Sequence, residues 1–123
     1  MINTQHRPWV GWSLIGIGIL HNTLGITMGW PHLAAAARDG LIGAWDTDPR
    51  RGQVYWFLVT GFGLMLAGGA VAALERHDPR LPWGWITALA ALTVTGVITM
   101  PASGFWTLLA PLGIAVVRRL RTA

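Results

Sequence analysis

An apolar run near the start of the chain is long enough to cross a membrane, and it constrains the fold more than any other feature. Residues 13–32 read SLIGIGILHNTLGITMGWPH, with His21 and Asn22 at the centre and no Asp, Glu, Lys or Arg. A helix rises about 1.5 Å per residue, so such a run covers a hydrocarbon core of about 30 Å. We therefore expect a transmembrane helix over about residues 9–30, with a polar pair near mid-bilayer.

The polar pair lies on or beside a stripe of small residues. At about 100° per residue, the members of this stripe fall on one narrow face of the helix, and His21 and His32 lie on its flank. The stripe consists of Gly11, Gly18, Asn22, Gly25 and Gly29. Glycines let a second helix approach closely, and in lipid an amide or imidazole needs a partner. This face is predicted to pack against a neighbouring helix.

Composition narrows the class of protein. The chain has 123 residues, of which 53% are hydrophobic and 11% charged, which is too apolar for an ordinary soluble domain and too short for a large transporter. It has no cysteine, so thiol catalysis, disulfide exchange and thiolate metal sites are excluded. The net charge of +4 comes from scattered arginines, which form no nucleic-acid face. One membrane domain, residues 1–123, is the natural interpretation.

Three further apolar runs follow, at about residues 55–74, 83–100 and 105–117. The first two carry small-residue faces, at Gly61, Gly68 and Ala72 in one and at Gly84, Ala88, Thr95 and Thr99 in the other. Pro111 is predicted to kink the last run, because proline removes a helix hydrogen bond. Together the four runs predict an all-α integral membrane protein, an up-down bundle of four transmembrane helices.

The segment between the first two spans, residues 31–53, is the longest loop. Pro31 predicts the start of a short interfacial helix that continues to about Arg38, and Gly40 predicts its end. Residues 46–52, DTDPRRG, are typical of a tight turn. We expect this loop to lie over the mouth of the bundle as a lid.

Arginine counts predict the orientation. With the N-terminus inside, the inner segments hold six arginines and the outer loop three, which favours cytoplasmic termini. A signal peptide is the alternative, since Arg7 precedes the apolar run and residues 34–37 are four alanines. The run is long for a signal peptide, so we expect a retained span.

Candidate site residues are polar or aromatic groups that a bundle would gather at its centre and outer mouth. His21 leads, because an ionisable side chain at mid-bilayer usually faces a cavity or a partner, although it could equally serve only as a hydrogen-bond donor to a carbonyl. The predicted catalytic residues are His21, Asp46 and Asp48, and the predicted ligand-binding residues are Asn22, His32, Trp56, Thr95 and Trp106. Paired acids beside aromatics and a buried imidazole suit acid–base chemistry on an apolar substrate. The alternative for the acids is a solvated, salt-bridged turn.

Metal chemistry is weakly indicated. His21, Met28, His32 and Met100 could be drawn together as ligands, but there is no second mid-membrane histidine for a bis-histidine haem. We therefore predict no metal site, and no particular cofactor is indicated. Most tryptophans lie at the ends of apolar runs, as an interfacial belt requires.

Several short sequences match a known pattern along nearly the whole chain. They are Gly18-Ile19-Leu20-His21 with Gly25, Trp30-Pro31, Asp48-Pro49-Arg50-Arg51-Gly52, and residues 100–106, MPASGFW. In these the chain resembles a family of small four-span bacterial membrane proteins classed as a domain of unknown function, and more loosely the DoxX-type proteins. The resemblance implies a membrane bundle and a bacterial membrane, but no activity.

Two functions follow as hypotheses. In the first, the protein binds or transforms a lipid-like small molecule in an outer-half pocket near His21 and Asn22. In the second, it is a noncatalytic subunit or homo-oligomer that docks other membrane helices through its glycine stripes. Membrane lipids are the expected surroundings in both, and no nucleic-acid partner is expected.

Overall fold

A computed structural model describes residues 6–121, and these residues contain five α-helices and no β-strand. The helices are α1 (Trp9–Met28), α2 (Trp30–Arg38), α3 (Pro49–His77), α4 (Trp83–Thr99) and α5 (Leu109–Arg121), with a 3₁₀ helix, Gly104–Leu108, directly before α5. The all-α prediction is confirmed. Helices α1 and α3 are long and apolar enough to cross a membrane, whereas α4 and α5 have only 17 and 13 residues.

Helix α3 is longer at both ends than the predicted span of residues 55–74. The interpretation of residues 46–52 as a tight turn is wrong, because Pro49 begins the helix and Gly52 lies inside it. Asp48 caps this end, since its Oδ1 accepts a hydrogen bond of 2.9 Å from the backbone N–H of Arg50. The predicted loop of residues 31–53 therefore consists of α2, a connection of residues 39–48 and the first turn of α3.

Helix α2 confirms the short helix expected after the first span. It ends at Arg38, and Gly40 follows with φ of +92°, a conformation that glycine adopts without strain. The connection is held by Arg51, whose Nη1 donates to Asp39 Oδ2 at 2.7 Å and to the Ala44 carbonyl at 3.1 Å.

The described residues form two compact units. The first comprises the described residues of Met1–Ile15 and Ala67–Ala123, and the second comprises Gly16–Leu66.

In the first unit, the beginning of α1 packs closely on the end of α3. A Cβ atom on Gly11 would lie 2.5 Å from the Ala72 backbone nitrogen, and one on Gly68 would lie 2.7 Å from the Gly11 carbonyl oxygen. Real Cβ atoms do not come this close, so both positions require glycine for backbone-to-backbone packing. Gly11, Gly68 and Ala72 thus pack as the sequence predicts.

The packing face of α4 differs from the prediction. Ile86, Thr93 and Gly96 are buried, whereas Gly84 has no neighbour within 4 Å of where its Cβ would lie. The predicted face of Gly84, Ala88, Thr95 and Thr99 is exposed. It is wrong because the ring of Phe105 packs on Gly96 and so selects the other side of the helix.

Pro111 is fully buried and lies in the first turn of α5, directly after the 3₁₀ helix. The α-helix begins later than the predicted run, so proline falls in its first turn, where N–H groups lack intrahelical partners and proline is tolerated. Residues 78–82 connect α3 to α4. There the backbone N–H of Arg80 donates to Asp78 Oδ1 at 2.9 Å and lowers the pKa of that carboxyl group.

In the second unit, the rest of α1 packs antiparallel on the beginning of α3. A Cβ on Gly18 would lie 2.7 Å from the Gly61 carbonyl oxygen, one on Gly25 2.9 Å from Leu58 Cδ2, and one on Gly29 2.8 Å from Val54 Cγ1. The glycine stripe of α1 is therefore a packing surface, as predicted.

Candidate functional site

His21 is held by two contacts with Phe57 across the α1–α3 interface of the second unit. Its Nε2 lies 2.9 Å from the Phe57 carbonyl oxygen, and the two rings stack with centroids 3.7 Å apart at 12°. A carbonyl oxygen only accepts, so Nε2 must carry the hydrogen. In the neutral ring, Nδ1 is then an acceptor, and no described residue bonds to it.

A groove of about 590 Å³ opens beside this imidazole, with a mainly apolar surface. Its lining comes from His21 on α1 and from one face of α3, namely Pro49, Gly52, Gln53, Trp56, Phe57 and Thr60. The structure thus brings together two of the predicted site residues, His21 and Trp56.

A second recess, of about 330 Å³, adjoins the groove. Gln53 and Phe57 line both, and the recess adds His32 from α2 and Arg50 from the first turn of α3. Its apolar wall consists of Leu24, Gly25, Met28, Gly29 and Val54. The predicted ligand-binding residue His32 therefore lines the recess, whereas His21 lines the adjoining groove.

Asn22 is buried in the helix interface instead of lining either cavity. Its side chain faces Gly61, where a Cβ atom would overlap the amide. The residue is 6% exposed, and neither Oδ1 nor Nδ2 has a hydrogen-bond partner among the described residues. An amide without partners is costly to bury, so Asn22 lowers the stability of the interface unless a water or ligand reaches it.

The two predicted catalytic acids lie at the start of α3 and in the connection before it. Asp48 is half-buried and is engaged as the helix cap, whereas Asp46 is exposed. A capping carboxylate accepts hydrogen bonds from the first turn of the helix. The contacts of Asp48 therefore account for its presence without a catalytic role.

Thr95 and Trp106 belong to the first unit, whereas all residues of the groove belong to the second. Thr95 is exposed, and its carbonyl accepts a hydrogen bond of 2.7 Å from the Thr99 hydroxyl. The indole N–H of Trp106 donates to the Pro101 carbonyl at 2.8 Å, and the ring is half exposed. Their role in ligand binding stays a prediction.

Glu75 is the most buried ionisable side chain in the described range, with no exposed surface. Its two carboxylate oxygens accept hydrogen bonds from the backbone N–H groups of Val10, at 3.1 Å, and Gly11, at 2.6 Å. Arg118 Nη1 forms an ion pair of 2.7 Å with the same carboxylate, and its Nη2 donates to the Arg7 carbonyl. Glu75 thus caps α1 and joins the beginning of that helix to the ends of α3 and α5.

The predicted second span ended at residue 74 and so left Glu75 outside the helix, which is wrong because α3 continues to His77. The overlooked signal is spacing, since Gly68, Ala72 and Glu75 recur at intervals of four and three on one helix face. The face that packs on α1 therefore continues into the carboxylate. Gln53 was missed for the related reason that the loop was predicted to extend to residue 53, although α3 begins at Pro49.

The described residues contain no group of three or more His, Asp or Glu side chains that could hold a metal ion. The chain is thus a small all-helical protein with two membrane-length apolar helices and an apolar groove beside a histidine. It belongs to the family of unknown function DUF6463, whose model matches residues 5–122. No curated protein and no solved structure matches the chain.

Proposed function

We propose that the chain is a four-span protein of a bacterial inner membrane that holds a lipid-like small molecule in the groove beside His21. Both termini would be cytoplasmic, and α2 with residues 39–48 would lie on the outer side. The likeness to DoxX-type proteins concerns the pattern of spans and implies no activity here.

Exposed apolar side chains support the membrane location. Met28 is 80% exposed, Leu66 78% and Ile98 73%, although each lies on or at the end of an apolar helix. Large apolar groups left in water cost about 25 cal/mol per Å² of surface, and contiguous patches of them mark contact with a membrane or a partner. Lipid around α1, α3 and α4 would cover these side chains.

The arrangement of helix ends in the first unit supports an up-down topology. Arg118, near the end of α5, contacts the carbonyl of Arg7 just before α1 and Glu75 near the end of α3. Arg119 lies 5.7 Å from the centre of the Trp83 ring at the start of α4. Four helix ends therefore meet, and the arginines there are those that the positive-inside rule would place in the cytoplasm.

The observation that carries the ligand proposal is the second nitrogen of His21. The ring is fixed by Phe57 and His21 lines the apolar groove together with Trp56, so the neutral ring would offer Nδ1 there as a preorganised acceptor. An apolar molecule with one hydroxyl or N–H group would fit this combination. Binding is better supported than transformation, because Asp48 is engaged as a helix cap.

The alternative function, in which glycine stripes dock helices of other proteins, is less well supported, because these stripes already pack on each other within the chain. Gly11, Gly18, Gly25 and Gly29 of α1 already contact α3 within the chain. The stripe of α3, Gly61 and Gly68, is occupied by α1 in return. A partner protein would have to use another face.

The test compares the compounds that copurify with the protein and with two variants. His21→Leu removes the acceptor, and we expect the specific compound to fall about fivefold, the effect of one hydrogen bond. Thr23→Val is the control, because Thr23 bonds only to its own helix, through the Ile19 carbonyl. Mass spectrometry of lipid extracts gives the amounts, and thermal unfolding in the same detergent reports folding.

An unchanged compound content in folded His21→Leu protein would contradict the role of the imidazole. Absence of any stoichiometric compound from the wild-type protein would contradict the proposed function itself.

A further inference from the structure

We propose that the ligand is an anionic amphiphile, whose head is bound by Arg50 and His32 in the recess while its apolar chain lies in the adjoining groove. This inference rests on the proposed function and specifies the chemical class of its ligand. A carboxylate or phosphate head on an acyl chain that carries one hydroxyl group has the required chemistry, because that hydroxyl group would donate to His21 Nδ1 in the groove.

Arg50 differs from the neighbouring Arg51 in that its side chain forms no ion pair within the described chain. Arg51 is 16% exposed and is neutralised by Asp39, with 2.7 Å between their charged atoms. Arg50 is an exposed residue at the edge of the recess, and its guanidinium forms no hydrogen bond or ion pair with any residue of the described chain. An uncompensated cation at the edge of an apolar cavity is a site for an anion.

Arg50 does not belong to a surface that is basic overall. Residues 38–51 carry three arginines and three aspartates, so the segment has no net charge that would attract anionic membranes nonspecifically. The N-terminus of α3 is also not the binding group, because Asp48 already accepts from the Arg50 backbone N–H. The guanidinium of Arg50 and the imidazole of His32 are the remaining polar groups, with the Gln53 amide between the two cavities.

The walls of the recess fit the part of an amphiphile next to its head. Leu24, Met28 and Val54 form an apolar surface directly beside the two basic side chains. Phe57 and Gln53 belong to both cavities, so a chain that leaves the recess passes over Phe57 into the groove at His21 and Trp56. One molecule would then occupy both.

The experiment measures binding of hexadecanoic acid and of hexadecanol to the purified full-length protein in nanodiscs, by displacement of a fluorescent fatty acid. We expect the acid to bind about tenfold more tightly than the alcohol, because a hydrogen bond to a charged group is worth more than a neutral one. Arg50→Gln should abolish this preference and Arg50→Lys should restore part of it. Arg38→Gln is the control, since it removes the same charge from an exposed residue that lines neither cavity.

Equal binding of acid and alcohol, or an unchanged preference in Arg50→Gln protein, would overturn the inference and leave the proposed function standing. If neither amphiphile binds the wild-type protein, the proposed function fails with it. Inorganic phosphate is the third probe, and we expect it not to displace the acid. Displacement by phosphate at similar concentration would show a site for a free anion and overturn the role of the apolar chain.

Discussion

Gly68 and Gly69 are neighbours on α3, but only one of them faces α1. A Cβ on Gly68 would lie 2.7 Å from the Gly11 carbonyl oxygen and 2.9 Å from the Ile15 backbone nitrogen, whereas one on Gly69 would meet nothing within 4 Å. Backbone atoms cannot move aside as a flexible side chain can. The two positions therefore separate the effect of helix packing from the effect of helix propensity.

We expect Gly68→Ala to lower the free energy of unfolding by about 1–3 kcal/mol, the usual cost of overpacking. Gly69→Ala should leave it unchanged or raise it by about 0.5–1 kcal/mol, because alanine loses less backbone entropy in a helix. Chemical unfolding of both variants in one detergent measures the difference. Equal effects of the two substitutions would contradict the close contact at Gly68.

Residue spacing predicted the packing face of α1 because glycine has one dominant use between membrane helices, which is close approach. It did not predict the packing face of α4, where the large ring of Phe105 determines which side is buried. That ring comes from a later segment, and no local pattern on α4 encodes its position. The sequence also did not predict that the His21 imidazole contacts Phe57, although donation of a hydrogen bond to a carbonyl group was one of its expected roles.

The ends of α1, α3 and α5 are held together by the carboxylate of Glu75 in the first unit. Two backbone N–H groups of α1 and the Arg118 guanidinium satisfy a carboxylate that has no exposed surface. A buried ion pair is favourable only while both partners and their hydrogen bonds remain. This element-scale contact should therefore be sensitive to loss of either partner.

Glu75→Gln should lower the free energy of unfolding by about 3 kcal/mol, because it removes the buried charge that the Arg118 guanidinium and two backbone N–H groups of α1 stabilise. Adding Arg118→Leu should cost less than the sum of the two single effects, since the residues interact directly. Arg121→Gln is the control, because Arg121 is exposed at the same end of α5. Strictly additive effects in a double-mutant cycle would contradict the coupling.

The existence and order of the helices followed from apolar runs, but their ends did not. Charged residues at 50, 51 and 75–77 were interpreted as loops, although α3 includes all of them. Arg50 and Arg51 fall in a first turn that Asp48 caps, and Glu75 is neutralised by partners distant in sequence. Capping and ion pairing remove the penalty that a charge would otherwise impose, and they depend on tertiary structure.

At the scale of the whole molecule, the proposed orientation depends on the number of membrane crossings. Among residues 6–121, only helices α1 and α3 are long and apolar enough to span, and α4 is a shorter apolar helix. Four spans place residues 39–48 and residues 100–103 on the outer side and residues 78–82 on the inner side. Two spans would leave residues 100–103 inside.

Single cysteines in this cysteine-free chain separate these topologies. Ile42, His77 and Ala102 are exposed, so their replacement disturbs little packing. In spheroplasts of an expressing bacterium, an impermeant thiol reagent should label cysteines at positions 42 and 102 and leave position 77 unlabelled until detergent is added. Labelling at 42 without labelling at 102 would contradict the four-span bundle, and labelling at 77 without 42 would contradict its orientation.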